Sequence, residues 1–530
     1  METTNDQERC CTGCGLPPKE NNGVVTRLKS CSRCKQAWYH DVACQRKDLK
    51  RHRREGCKVA AQEKIKASPL VRIEKREGRG TCLVAASQLQ RGYVLLQNQP
   101  LVPPILLLEQ SMQRCAVCFG RLNAMFQFDD VVHSPQYPVH LCSHECLSTS
   151  SSWLRQEEQL VSNILCQTTK VRIFSTTILL YRIVRAAAAA SSDTTTAARQ
   201  LENLQQHTLP RMTDEEEAHV KAVAAVARLM LGQDPQTKAN DYTFDYLASV
   251  LTKMKTNGFS VADGESIAIG IGLYPEASFT NHSCSPNAIQ TFIYGVKGKS
   301  PVVRLTVCES GIASNEEICI SYIDNAVPRG HRQTLLQDTY YFQCCCQSCT
   351  IKQPTGLRCY SCQSSSVVAK DQEYHCQDCD ATNFKDAKKK MENFPRQPTK
   401  KSSEEMRALF ESFQSLFVES SWYYQECGDR YVQALLDEIG TCRDETDRMR
   451  LCHQALAVAE GLLLLPGKGW RILRSTLLKY KCAKLRLFVQ PDPRMAIGEL
   501  QDCLHELLIF YPPDHELIHD LKATLSQAFM

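Results

Sequence analysis

Apolar and polar positions change their period several times along the chain. Residues 71–100 alternate in short stretches, Val71-Arg72-Ile73 and a run ending at Leu95-Leu96, on either side of Gly78-Arg79-Gly80. That pattern predicts strands around a turn. Residues 150–185 carry helical spacing, and 186–206 are low in complexity and predict a mobile connection. Charge clusters between apolar positions predict more helices over 212–255. An apolar run from Ile267 to Tyr274-Pro275, bounded by turn residues, predicts a buried strand, and further strands are predicted at 289–294 and 301–308. Lys388 through Lys401 reads as a linker broken by Pro395 and Pro398. From 403 to 528 the spacing is helical, with breaks at Gly467, Pro491, Pro493 and Pro512-Pro513.

Composition narrows the classes. At 530 residues the length alone predicts about three or four domains, and 43% hydrophobic residues can fill their cores. A formal net charge of +5 implies no global field for nucleic acid. Two local basic runs, 46–54 and 388–401, read as solvated surface or as a face for an acidic partner. Direct nucleic-acid binding rests on those runs alone and is expected to be weak or absent. The start, METTNDQERC, lacks an apolar signal core, and no apolar stretch reaches the ~18–20 residues of a membrane span. With 29 cysteines and no such signal, the expectation is thiolates on metal in the cytoplasm, the nucleus or both.

The cysteines fall into clusters. Cys11, Cys14, Cys31, Cys34, His40, Cys44, His52 and Cys57 offer eight ligands, enough for two tetrahedral zinc ions, with Cys10 an alternative to Cys11. So little apolar content lies there that metal would supply the folding energy. The stretch resembles a MYND zinc finger. The resemblance implies interleaved sites: Cys11, Cys14, His40 and Cys44 on one zinc, and Cys31, Cys34, His52 and Cys57 on the other. His40 stands where that family usually has cysteine, and Leu49 replaces a usual tryptophan. Cys115, Cys118, Cys142 and Cys146 suit a third zinc, the alternative being buried thiols. Their text resembles a reduced MYND finger with one site. Cys344, Cys346 and Cys349 offer three ligands and need a remote fourth. Cys359, Cys362, Cys376 and Cys379 have zinc-ribbon spacing.

Between these clusters lie Asn257-Gly258-Phe259, Asn281-His282-Ser283-Cys284-Ser285-Pro286-Asn287 and Glu316-Glu317-Ile318-Cys319-Ile320-Ser321-Tyr322. A GxG turn alone is usually a hairpin, and Tyr322 or His282 alone would read as a core residue. In the order GRG, NHSCxPN, EEIxISY and CxCxxC they resemble the SET domain lysine methyltransferases. With MYND fingers and a helical tail, the whole chain resembles the SET and MYND domain (SMYD) family, most closely its arthropod SmydA group.

The resemblance implies S-adenosylmethionine as cofactor and about five structural zinc ions. Gly78, Arg79, Gly80 and Asn257 would line the cofactor's methionine end, Asn281 and His282 its adenosine, and Phe342 its adenine. Tyr322 would contact the cofactor and act as the catalytic residue, orienting methyl and amine. Cys284 would be the remote ligand for Cys344, Cys346 and Cys349. Tyr274, Tyr340 and Phe342 are candidates for the walls of a lysine channel. Glu77 stands where some relatives carry a basic residue.

The fold class expected is a multidomain α+β protein. Its parts are a MYND finger at 1–60, the first part of a β-rich SET domain at 68–110, and a single-zinc MYND-like insert at 111–150. A helical insert at 151–255, the SET core at 256–325 and a post-SET zinc knuckle at 326–352 follow. A zinc ribbon at 353–385, a linker at 386–402 and a helical domain at 403–530 complete it. That last domain is tetratricopeptide-like or an irregular bundle; strict repeats are not visible. The expected activity is methyl transfer to lysine on histone or non-histone proteins by a monomer, with a role in transcriptional regulation as repressor. The alternative is an inert adaptor recruiting a corepressor or deacetylase through the finger and tail.

Overall fold

The computed structural model describes residues 20–21, 24–25, 28–30, 38–51, 70–122, 139–167, 174–188, 197–204, 213–238, 240–308, 311–351, 355–370, 373–395, 401–463, 472–490 and 492–528. Of the finger ligands, Cys11, Cys14, Cys31, Cys34, His52 and Cys57 lie outside these residues. His40 and Cys44 lie inside, Cys44 on the helix Val42–Arg51, where its amide donates to Asp41 Oδ1 (2.8 Å). Positions 189–196 and 205–206 of the low-complexity connection also lie outside, while Ala197–Asn203 within it is helical and the helix Ser175–Ala188 runs into its start.

The strands between 71 and 320 form small sheets, antiparallel except for one pair, around one core. Val71–Arg76 and Gly80–Ala85 pair through Arg76↔Gly80, so the hairpin closes at Gly78-Arg79. Both glycines hold positive φ, +69° at Gly78 and +71° at Gly80, a region where a Cβ costs energy. Val94–Asn98, Val302–Val307 and Ala288–Ile293 form one sheet, and Gly258–Ala262, Ala268–Leu273 and Ile105–Leu106 another. Their inward residues, among them Leu83, Val261, Ile269, Phe292, Leu305 and Ile320, share one buried cluster. Asn281–His282 and Cys319–Ile320 form a parallel pair joining segments distant in sequence.

The insert is helical as its spacing predicts: His144–Gln167, Ser175–Ala188, Asp214–Gln233 and Phe244–Asn257. A Thr213–Glu216 capping box starts the third of these. Their apolar faces bury a second cluster around Leu180, Tyr181, Met230 and Leu247. Among the described residues from 401 onward six helices follow, Ser403–Gln414, Trp422–Thr441, Glu445–Leu463, Ile472–Val489, Arg494–Phe510 and Glu516–Ala528, each packed on the next. One reading needs correction. Lys385–Asn393, within the expected linker, is a helix. No proline interrupts it before Pro395, and it buries Ala387 while the following Phe394 packs on Phe413, Trp422 and Tyr423. Among the described residues no helix is long and apolar enough to cross a membrane.

The helical tail is docked on the β-core. Thr291 Oγ1 donates to the Phe510 carbonyl (3.1 Å), and buried Arg114 pairs with Asp263 (2.9 Å) and with Glu516 (3.6 Å). His515 sits in the same junction, 1% exposed, against the rings of Tyr294 and Tyr511. Burial pushes its imidazole down to about 4 from 6.5. Between those values the unfolded chain binds a proton that the folded chain refuses, so stability falls as pH drops below 6.5. The loss attributable to His515 is about 2 kcal/mol at pH 5. Melting at pH 7 and pH 5 checks it: His515→Asn should narrow the difference between the two pH values. An unchanged difference would remove His515 from the account.

Candidate active site

The GRG turn, the 281–287 loop and the 316–322 segment meet. Arg79 donates from Nε to Glu317 Oε2 (2.9 Å) and from Nη2 to Glu317 Oε1 (3.1 Å). Asn281 Nδ2 reaches the Arg79 carbonyl (3.0 Å) and Glu317 Oε1 (2.8 Å). Hydrogen bonding from Glu317 raises the pKa of Arg79. Asn287 pins the far end of its loop: its amide donates to the Glu317 carbonyl (2.9 Å) and its carbonyl accepts from the Cys319 amide (2.8 Å). Between the two asparagines, Ser283 Oγ accepts from the Ser285 amide (3.1 Å), turning the chain before Pro286.

His282 is buried, and its two nitrogens face different elements. Nδ1 accepts from the Tyr322 amide (3.0 Å), which leaves the proton on Nε2, 3.3 Å from Cys284 Sγ. Cys284, Cys344, Cys346 and Cys349 form a set whose sulfurs all lie within 4.8 Å of one another. Arg332, also buried, points Nη2 at Cys349 Sγ (3.9 Å). Two cationic or N–H donors thus face a thiolate set that would carry excess negative charge on a zinc ion. Cys115, Cys118, Cys142 and Cys146, and Cys359, Cys362, Cys376 and Cys379, are grouped in the same way. Four convergent cysteine sulfurs fit zinc in its tetrahedral form in each.

Tyr322 follows the parallel strand pair. Its hydroxyl donates to the Thr280 carbonyl (2.7 Å), and its ring lies 4.9 Å from that of Tyr340 and 5.4 Å from that of His282. Burial first, then Tyr340, raises its pKa, so the phenol is neutral. Phe342 also packs against His282, with ring centroids 5.9 Å apart. A narrow cavity of about 80 Å³ opens here, walled by Asn257, Phe259, Thr280, Tyr322 and Tyr340. The Asn257 side chain caps its helix, donating to the Lys253 carbonyl (2.8 Å), and its carbonyl accepts from Ser278 Oγ (3.0 Å). A larger cavity of about 540 Å³ lies on the insert side and shares Gly258, Phe259 and Ser260 with the narrow one.

Of the predicted site residues, Gly78, Arg79, Gly80, Asn281, His282 and Tyr322 belong to one connected network, and Asn257 lines the cavity beside Tyr322. Among the candidate channel walls, Tyr340 lines the narrow cavity. Phe342 packs instead with Cys284, Cys344 and Cys349. Tyr274 does not line the cavity: it is fully buried, donates to the Pro301 carbonyl (3.1 Å) and packs edge-on against Phe259. Its place on an inward-facing strand end put it in the core. Glu317, Phe259 and the Thr280 carbonyl were not singled out from the sequence.

Residues 11–56 match the MYND finger family and residues 80–323 the SET domain family. The N-lysine methyltransferase SMYD2-B of Danio rerio is 27% identical over 285 residues, 52% of this chain and 59% of that protein. The histone-lysine N-methyltransferase ASHR1 of Arabidopsis thaliana is 26% identical over 362 residues, 64% of this chain and 71% of that one. Human N-lysine methyltransferase SMYD2 is 37% identical over 108 residues, 20% of this chain and 23% of its own. The match thus spans less than two thirds of either SMYD2 relative. The crystal structure of the SET domain of LSMT bound to lysine and AdoHcy overlaps with a TM-score of 0.27 and 13% identity, over 87% of this chain and 93% of that one. That likeness is too slight to carry an inference. The chain thus matches the MYND finger family over residues 11–56 and the SET domain family over residues 80–323, and over part of its length it is similar to N-lysine methyltransferases of the SMYD2 type.

Proposed function

We propose that the protein is an S-adenosylmethionine-dependent protein-lysine N-methyltransferase. The observation that carries the reading is the convergence of Gly78–Gly80, Asn281–His282 and Tyr322 beside a narrow aromatic-walled cavity. The residues fit the cofactor. A Cβ on Gly78 would meet nothing within 4 Å, so the turn is open to a ligand, and the Asn281 loop is held against it. When bound, the cofactor supplies an electrophilic methyl group.

The chain's own residues supply alignment and dryness. The cavity of about 80 Å³ walled by Phe259, Tyr322 and Tyr340 would take the aliphatic stem of a lysine. The Tyr322 hydroxyl, fixed by its bond to the Thr280 carbonyl, and that carbonyl itself offer polar atoms on two residues that line the cavity. Together they would orient the neutral amine and fix its lone pair. His282 holds the Tyr322 backbone on one side and faces Cys284 on the other, so the metal site and the pocket share one support. Zinc would act as structure, not as a reactant.

The finer reading is a SmydA-type enzyme, with the zinc of the MYND finger and of three cysteine sets making about five ions. A histone or non-histone substrate would cross the larger cavity, and a corepressor would dock on the finger in the nucleus. Titration calorimetry of the full chain with S-adenosylhomocysteine tests the core of it. One site in the micromolar range or tighter is expected. No heat and no competition with S-adenosylmethionine would leave an adaptor as the better reading.

A further inference from the structure

We infer that Glu317 is the positioning residue that closes the cofactor cradle, and that Arg79 serves it through a charge pair and not as a free ligand-binding cation. The inference rests on the cofactor reading above. Four hydrogen bonds define the unit. The Glu317 carboxylate accepts two from Arg79 (2.9 and 3.1 Å) and one from Asn281 (2.8 Å), and Asn281 gives a second to the Arg79 carbonyl (3.0 Å). These residues lie on three segments, with Arg79 and Glu317 separated by 238 positions. The Glu317 backbone is fixed independently: Val84 bridges to it and Asn287 donates to its carbonyl. The carboxylate is therefore anchored, and the GRG turn and the Asn281 loop are what it gathers.

Exposure shows which partner can be lost more cheaply. The Glu317 side chain is 14% exposed and that of Arg79 39%. The guanidinium meets the carboxylate in a two-point fork and turns Nη2 toward Cys319 Sγ as well (3.6 Å), so its charge is matched by Glu317 while the two Nη1 hydrogens lie outside these contacts. Burial leads in raising the pKa of Cys82 and of Cys319, the latter to about 12, and in both the Glu317 charge adds to it. Glu317 is thus the local negative charge, and Arg79 its counter-ion. Removing Arg79 alone would leave a half-buried carboxylate held by one neutral amide. That charge would repel the carboxylate of an incoming amino-acid ligand. Removing both charges would remove the repulsion.

The test is S-adenosylhomocysteine calorimetry on the full, zinc-loaded chain, with zinc content and melting temperature recorded for each variant. Glu317→Gln should weaken binding about tenfold, and Arg79→Ala at least about thirtyfold. The double variant should recover to within about threefold of Glu317→Gln, a non-additivity that simple loosening would not produce. Glu317→Gln binding within about twofold of wild type, or a double variant weaker than Arg79→Ala, would overturn the inference alone. Should Glu317→Gln fail to fold, Arg79→Lys carries the test: it keeps the charge, loses the fork, and should weaken binding about threefold or more. Wild-type binding by that variant would overturn the inference. Absence of binding by the wild type would overturn both it and the methyltransferase reading.

Discussion

Cys284→Ser is expected to remove one zinc ion per chain, lower the melting temperature by on the order of 10 °C and abolish cofactor binding. Cys284 is 2% exposed and comes from the loop that carries Asn281 and His282, whereas the other three sulfurs come from 344–349. A metal held by the four sulfurs would make Cys284 the link between that loop and the 344–349 segment. A structural zinc site supplies about 10–16 kcal/mol of folding energy in small fingers, and losing one thiolate of four forfeits about 3–5 kcal/mol of it here. The hydroxyl that replaces it is a poor zinc ligand and would leave the His282 Nε2–H facing a weaker acceptor. Cys345→Ser is the matched control, since Cys345 is exposed and stands outside the four-sulfur set. Metal content and melting separate the two. Full zinc occupancy in Cys284→Ser, or equal damage in both variants, would show that the sulfurs do not share a metal.

Tyr322→Phe should leave S-adenosylhomocysteine affinity within about twofold but cut the turnover number by about 100-fold or more. The ring packs between His282 and Tyr340, and phenylalanine keeps that packing. Only the hydroxyl is lost, and with it the 2.7 Å bond to the Thr280 carbonyl. An unpaired carbonyl there costs about 1–3 kcal/mol at most, too little to unfold the domain. The effect should therefore appear in the turnover number and not in binding, as for a group that acts on orientation in the transition state. Equal losses in binding and turnover would make Tyr322 a structural tyrosine.

Much of this site was legible before any coordinates. Gly78 and Gly80 are glycines because the turn needs positive φ. Asn281, His282 and Asn287 are polar residues at fixed spacing because each satisfies a backbone or side-chain partner on the neighbouring segment. Cysteine spacing marked two of the metal sets and three ligands of the other, whose remote fourth, Cys284, came from the family resemblance and not from spacing. What stayed hidden had no side-chain signature. The Thr280 carbonyl is an acceptor that any residue could supply. Glu317 is one of two adjacent acids, and only its pairing with Arg79 sets it apart from Glu316, which serves Asn287 and the Ala313 amide. Phe259 looked like an ordinary strand residue, yet it walls the cavity. Tyr274 erred in the other direction, because an aromatic near a motif is as readily core as channel. The helix at 385–393 was masked by its lysines, whose charged face hid the buried Ala387 and Met391 side.

The most direct test of the central claim is transfer itself. Full-length protein is incubated with isotopically labelled S-adenosylmethionine and a panel of lysine-rich proteins, and the labelled atom is located by mass spectrometry. The account predicts label on a lysine side-chain nitrogen with the wild type, and label reduced about 100-fold with Tyr322→Phe. Cofactor bound with no methyl group on any lysine, or identical labelling by the two proteins, would contradict it.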